Sequence, residues 1–300
     1  ARRPGAPERK DSVMTILVSA AGGQLGALVV EALLARGVAP DQIVAGARTP
    51  SKVEHFADRG VRVAHIDYDD PATLDAALDG VDRLLLVSGS EIGERYPGHR
   101  NVIDAVERHG GVEQLVYTSL SKVGQDVFPL GDEHVQTEQA LAASSIPSVV
   151  LRNDWYSENA VPDVTRAAET GVIAASVGDG RISYASRADY AEAAAVVLID
   201  GGHIGETYEL AGDVAWSYDE LAALASRLLG RPVAYERLST EQHIAALEAA
   251  GLDADTAAFV AGIDDGIRRG MLDVDDKTLA RLLGRPTTPL EETLRAALAA

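Results

Sequence analysis

The residues whose types and spacing could do chemistry begin at 16–26, ILVSAAGGQLG, where β-favouring Ile16, Leu17 and Val18 run into a glycine-dense turn. Leu25, Leu28, Val29, Ala32 and Leu33 then recur at the spacing of one helix face, so the segment reads as strand, tight turn and helix. At such a turn the free backbone N–H groups and the positive end of the helix dipole face outward together, which makes a pyrophosphate site. The ligand this predicts is a dinucleotide, cradled by Ala20, Gly22, Gly23, Gln24, Leu25 and Gly26. The spacing G-x-x-G-x-x-G is incomplete: Ala20 holds the first position, Gly23 and Gly26 are kept, and Gly22 is extra. A methyl group at position 20 costs little at negative φ and much at positive φ.

The second strand ends in Ala47-Arg48-Thr49, with Lys52 one turn on and no acid at that end. An acid there would take the ribose hydroxyls of NAD, whereas a nearby Arg fits a 2′-phosphate, so NADP(H) is favoured over NAD. Asp67, at the end of the third strand, is placed to meet adenine or ribose; its alternative task is to cap the helix that Pro71 opens. At the reacting end, the dyad Tyr-x-x-x-Lys of common short-chain dehydrogenases is absent, because Tyr117 precedes Lys122 by the wrong interval. The later strand ends carry instead Ser88-Gly89-Ser90, Thr118-Ser119 and residues 152–156 (Arg-Asn-Asp-Trp-Tyr), with His134 opening a helix. These are the places where a nicotinamide and its reaction partner would lie. The serines of 88–90 could equally be turn formers.

The elements that must position these residues alternate strictly. Strands are expected at 43–47, 61–66, 83–87, 114–118 and 147–152, and helices at 50–59, 71–78, 100–109 and 132–143. Short connections and right-handed crossovers then predict an α/β fold, a doubly wound parallel sheet. Beyond Arg152 the rhythm breaks: helices are expected at 165–170, 187–199 and 218–229, a strand at 207–210, another around Tyr235, and a helix-rich end with breaks at Gly251, Gly270 and 285–289. Residues 14–153 with about 183–214 are read as the dinucleotide-binding domain, about 154–182 with 215–300 as a smaller substrate lobe, and 1–13 as a disordered tail.

Composition narrows the function classes. The 300 residues are 46% hydrophobic, enough for a sizeable core. With 46 acidic against 27 basic side chains the formal charge is −19, which repels phosphate backbones and anionic lipid, so nucleic acid and membrane surfaces are not expected partners. Cysteine is absent, which removes disulfides and thiolate chemistry and is compatible with a reducing cytoplasm. No apolar run approaches the roughly 20 residues of a membrane span.

The stretches AAGGQLG (20–26), LLLVSGSEIG (84–93), HRNVI (99–103), YTSL (117–120), DEH (132–134), LRNDWYSEN (151–159), SRADY (186–190) and YELAGD (208–213) closely resemble the NmrA-like branch of atypical short-chain dehydrogenases, over about 15–298. Within it the likeness runs to NADPH-dependent quinone-reducing members. The resemblance implies a two-lobed extended fold, NADP(H) at the turn of 22–26 and Arg48, and a substrate pocket bounded by Asn153, Trp155, Tyr156 and Asn159, of which Trp155 and Tyr156 could alternatively be core packing and Asn153 a loop-ordering residue. Lys122, a candidate catalytic residue beside His134, stands where the resemblance suggests His. Counting back from Ile146-Pro147, the place of a catalytic lysine in related isoflavone-reductase-like enzymes falls on His134, a proton donor or ribose holder unless it faces solvent. The expectation is an NADPH-dependent reductase of a quinone or enone, without metal or flavin. The alternatives are a redox-sensing regulator that binds NAD(P) without turnover, and a reductase or isomerase of a biosynthetic intermediate; the oligomeric state, a homodimer included, is left open.

Overall fold

A computed structural model describes residues 14–91 and 93–299; the expected tail over 1–13 lies outside the described residues. From the N-terminal side, β1 (Ile16–Val18), α1 (Gln24–Ala35), β2 (Ile43–Ala47), α2 (Glu54–Ala57), β3 (Arg62–His65), α3 (Pro71–Ala77), β4 (Arg83–Leu86), α4 (Arg95–His109), β5 (Gln114–Leu120), α5 (Asp132–Ala143) and β6 (Ser148–Asn153) alternate in the expected order. There follow α6 (Val161–Thr170), β7 (Val172–Ala175), β8 (Arg181–Ile182), α7 (Arg187–Ile199), β9 (Thr207–Leu210), β10 (Trp216–Ser217), α8 (Tyr218–Leu229) and β11 (Ala234–Arg237). Four helices close the chain, α9 (Thr240–Ala249), α10 (Ala254–Arg268), α11 (Thr278–Leu283) and α12 (Leu290–Ala299).

Seven strands form one parallel sheet in the order β3-β2-β1-β4-β5-β6-β9. Side chains alternate across it, so the two faces bury separate clusters. Ile16, Val18 and Val116 point into a cluster with α1 and α7, while Leu17, Leu115 and Tyr117 point into one under α3, α4 and α5. This is the doubly wound fold expected. Strand order reverses between β1 and β4, and ligands of such sheets bind at that switch point, beyond the carboxyl ends of the strands.

Three helices differ from expectation for local reasons, and one of them, α6, begins at Val161 rather than at 165, with Pro162 in its first turn, where a missing N–H is tolerated. The helix expected over 50–59 is a 3-10 turn, Pro50–Lys52, and the single turn of α2, stopped ahead of Gly60 at φ 88°. Helix α4 begins at Arg95 rather than at 100, because Pro97 falls in the first turn, where a missing N–H is tolerated, and the Glu133 carboxylate takes the Tyr96 N–H at 2.9 Å.

A third hydrophobic cluster lies outside the sheet, built from α6, β7, β8, α8 and α10. There β7 pairs in parallel with β11, and β8 antiparallel with β10. The final helices tie the clusters together: Leu279 and Leu283 of α11 enter the cluster beside α7, and Leu290 and Leu294 of α12 enter the third. Among the described residues no helix is long and apolar enough to cross a membrane.

Candidate functional site

The turn after β1 builds the site's floor. Ala20 adopts the left-handed region at φ 48°, the conformation in which its methyl group is costly. Its carbonyl accepts the Gly23 N–H at 2.9 Å, and the Ala21 N–H is held by Gly46 O at 2.7 Å, so the turn is formed with alanine in place. A Cβ on Gly26 would lie 2.4 Å from that same carbonyl oxygen, which is why α1 can approach the strand so closely only with glycine there. Gly23 caps α1 without a side-chain hydrogen bond and no acid stands in the first turn, leaving the helix's N-terminus for an anion from outside.

A cleft of about 680 Å³ opens above this turn. Ala20 and residues 22–26 line it, as do Arg48, Lys52, Asp67, Ser88, Gly89, Ser90 and Tyr156 of the residues expected at the site. Asp67 is not the helix cap: Asp70 accepts the Ala72 N–H at 3.1 Å in that role. The walls are braced from behind. Ser19 Oγ donates to Leu85 O at 2.8 Å and accepts the Val87 N–H at 3.0 Å, and the Tyr68 hydroxyl donates to Val87 O at 2.8 Å. The 88–90 turn is gripped at three points: the Ser88 N–H donates to Thr118 Oγ1 (2.9 Å), the Gly89 N–H to His99 Nε2 (3.0 Å), and Arg95 Nε to Gly89 O (2.6 Å).

The grip on Gly89 fixes a tautomer. Since His99 Nε2 accepts, Nδ1 carries the proton and donates to Thr137 Oγ1 at 3.0 Å, which donates to Glu133 O at 2.7 Å. Burial, then the Arg95 charge, pushes His99 down to about 3, so it stays neutral at ordinary pH.

The remaining expected residues stand apart from the cleft. Thr118 is buried beneath Ser88, and Ser119 Oγ donates to Glu138 at 2.6 Å within the Arg152–Glu138–Glu209 ion-pair group. His134 does not line the cleft, nor does it face solvent. It is buried, its Nδ1 2.6 Å from the Tyr117 hydroxyl, and burial together with Arg95 and His99 pushes it down to about 3. Lys122 donates its Nζ to Gly270 O (2.8 Å) and Asp273 O (2.5 Å), stapling the end of β5 to the loop after α10. Trp155 packs on the third cluster, and Asn153 is buried at the end of β6. Asn159 accepts from Arg187 Nη2 at 3.2 Å.

Arg187 is a cleft residue that the sequence reading missed, although it lies in the SRADY stretch. Its guanidinium sits 4.7 Å from the Tyr156 ring centroid, and Tyr156 in turn meets Tyr190 edge-on at 5.4 Å. Arg95, Tyr68 and Glu91 were missed as well, because their roles arise from packing across the sheet and leave no local spacing to read.

A glycine turn at the switch point, an open helix N-terminus and cations at the end of β2 define a protein built to hold a nicotinamide dinucleotide. The chain belongs to the NAD(P)H-binding family, whose model matches residues 20–200. It is 46% identical to Quinone oxidoreductase 2 of Escherichia coli (strain K12) over 279 residues, 93% of this chain and 97% of that protein. The crystal structure of the NADPH-dependent quinone oxidoreductase from Escherichia coli complexed with NADPH superposes with TM-score 0.91 at 45% identity, covering 95% of this chain and all (100%) of that one. The triphenylmethane reductase of Citrobacter sp. superposes with TM-score 0.90 at 34% identity, covering 96% and 100%. The NmrA-like resemblance read from the motifs holds.

Proposed function

We propose that the protein is an NADPH-dependent reductase that passes a hydride to a quinone or similar conjugated carbonyl compound. The observation that carries this is one continuous cleft in which the glycine turn, Arg48 and Lys52, the 88–90 turn and Tyr156 lie together. Similarity to Quinone oxidoreductase 2 supports the class of acceptor. When bound, NADPH supplies the hydride at nicotinamide C4. The chain's part is position and exclusion of water. The N–H groups opening α1 hold the pyrophosphate, Arg48 and Lys52 take the 2′-phosphate, and Asp67 meets the adenosine. The braced 88–90 turn borders the nicotinamide, and Tyr156, covered by Arg187, walls the acceptor site.

In this reading His134 positions Tyr117 and does not touch the reacting atoms, and the proton comes from water, which quinone reduction tolerates. Asn159 supports the Tyr156 wall through Arg187, whereas Trp155 packs on the third cluster and Asn153 is buried at the end of β6. Residues 14–153 with about 183–214 carry the cofactor, and the parts about 154–182 and 215–300 cover the acceptor; most of the third cluster comes from the latter parts, which supports that division, while α11 packs with the former. The charge of −19 argues against nucleic-acid partners, and the lack of cysteine is compatible with a reducing cytoplasm.

The test is loss of reduced-nicotinamide absorbance with NADPH, then NADH, with and without a simple benzoquinone. Quinone-dependent oxidation preferring NADPH is expected. Binding without oxidation across several quinones and enones would favour the sensor, and binding of neither nucleotide would sink both readings.

A further inference from the structure

Arg48 follows β2 and Glu91 follows β4, so the two side chains rise on opposite sides of the turn that leaves β1. They meet over it: Arg48 Nη1 lies 3.0 Å from Glu91 Oε1, and both residues line the cleft. Asp67 and Asp69 add further negative charge near Arg48 and also line it. The cation best placed for a 2′-phosphate is therefore already held by a carboxylate of this chain. A dianionic phosphate that shares that guanidinium with Glu91 brings like charges together, so the two compete for it.

We propose that Glu91 is the resident competitor of the 2′-phosphate for Arg48, so that the Arg48–Glu91 pair is a strap across the cleft that sets how strongly NADPH is preferred over NADH. The proposal rests on the NADPH reading above. NADH, with a free 2′-hydroxyl, leaves the strap closed; NADPH opens it by replacing one anion with another. Both side chains are mostly exposed (62% and 57%), so the pair is weak enough to be exchanged and its loss leaves the fold intact. Exposed pairs of this kind shift equilibria by about two- to fivefold.

The experiment is a fluorescence titration of the full chain with NADPH and with NADH, for wild type, Glu91→Gln, Arg48→Ala and the double variant. Glu91→Gln is expected to tighten NADPH about two- to fivefold and to leave NADH unchanged, and the gain is expected to vanish in the Arg48→Ala background. Unchanged or weaker NADPH binding by Glu91→Gln overturns the proposal. So does equal tightening of NADH, or a gain that persists without Arg48, since either makes the effect one of bulk charge. Wild type that binds NADPH no better than NADH fails the cofactor reading itself, and the strap falls with it.

Discussion

Replacing Ala20 by glycine tests how the damaged fingerprint still works. In the left-handed region a Cβ crowds the neighbouring carbonyl at a cost of about 1–2 kcal/mol, which Gly removes. Against this, glycine gives the unfolded chain more freedom, roughly 0.4–1 kcal/mol. The half-buried Ala20 methyl also packs on the cluster beside α1, and its loss costs about 0.4 kcal/mol, half the value of one fully buried methylene. The balance favours glycine by roughly 0.5 kcal/mol, a rise in Tm of about 1–2 °C. The turn's hydrogen bonds run through backbone atoms of residues 20, 21 and 23 that both residues supply, so NADPH affinity should change by less than about threefold. Denaturant unfolding with matched m-values and an NADPH titration give the two numbers. Tightening of tenfold or more would mean that the methyl group obstructs the cofactor, and a loss of stability would mean that the left-handed strain is not relieved.

Three further outcomes are expected. Gly26→Ala forces a Cβ to 2.4 Å from Ala20 O and 2.8 Å from Ala20 C, both backbone atoms, so it should cost about 1–3 kcal/mol and weaken NADPH at least tenfold, read by unfolding and titration. His99 and His134 are held neutral in the fold down to about 3 against an ordinary 6.5, so their stabilising contribution is complete above 6.5 and lost as pH falls toward 3. Stability should fall with pH through that window, measurable as a falling Tm that His99→Gln makes shallower. Asp163 in α6 shows the opposite sign: burial, helped by Asp264 and opposed by Arg166 and His243, raises it to about 6. The fold binds its proton more tightly than the unfolded chain does, so stability falls as pH rises from 3.8 to 6, and Asp163→Asn should stabilise the protein at pH 7 by about 1–3 kcal/mol but not at pH 3.5.

Most of the sheet was legible because short apolar runs alternate with segments of helical period: α5, α7 and β9 fall on their expected bounds, as does α8 beyond the sheet. The strands β7, β8 and β10 were not, since two to four residues carry too little alternation to separate from a turn. The cofactor end of the site could be read from the glycines and Arg48, which act through local geometry and charge. Its other half could not. The link from Tyr117 to His134, the Arg187 cover on Tyr156 and the partnership of Arg48 with Glu91 each join residues far apart in the chain, and none leaves a mark on spacing. The placement of His134 was hardest, because polar residues at a helix start usually meet water and this one is enclosed against the sheet.

The return of the chain through α11 and α12 bears on how the protein is made. The sheet face under α7 is completed by Leu279 and Leu283, synthesised after every strand they cover, and the third cluster is completed later still by Leu290 and Leu294. During synthesis the cofactor-binding half therefore spends its early life with an apolar strip uncovered. Contacts that span so much sequence form slowly, so the nascent chain has a long interval in which that strip can meet a chaperone or another unfinished copy.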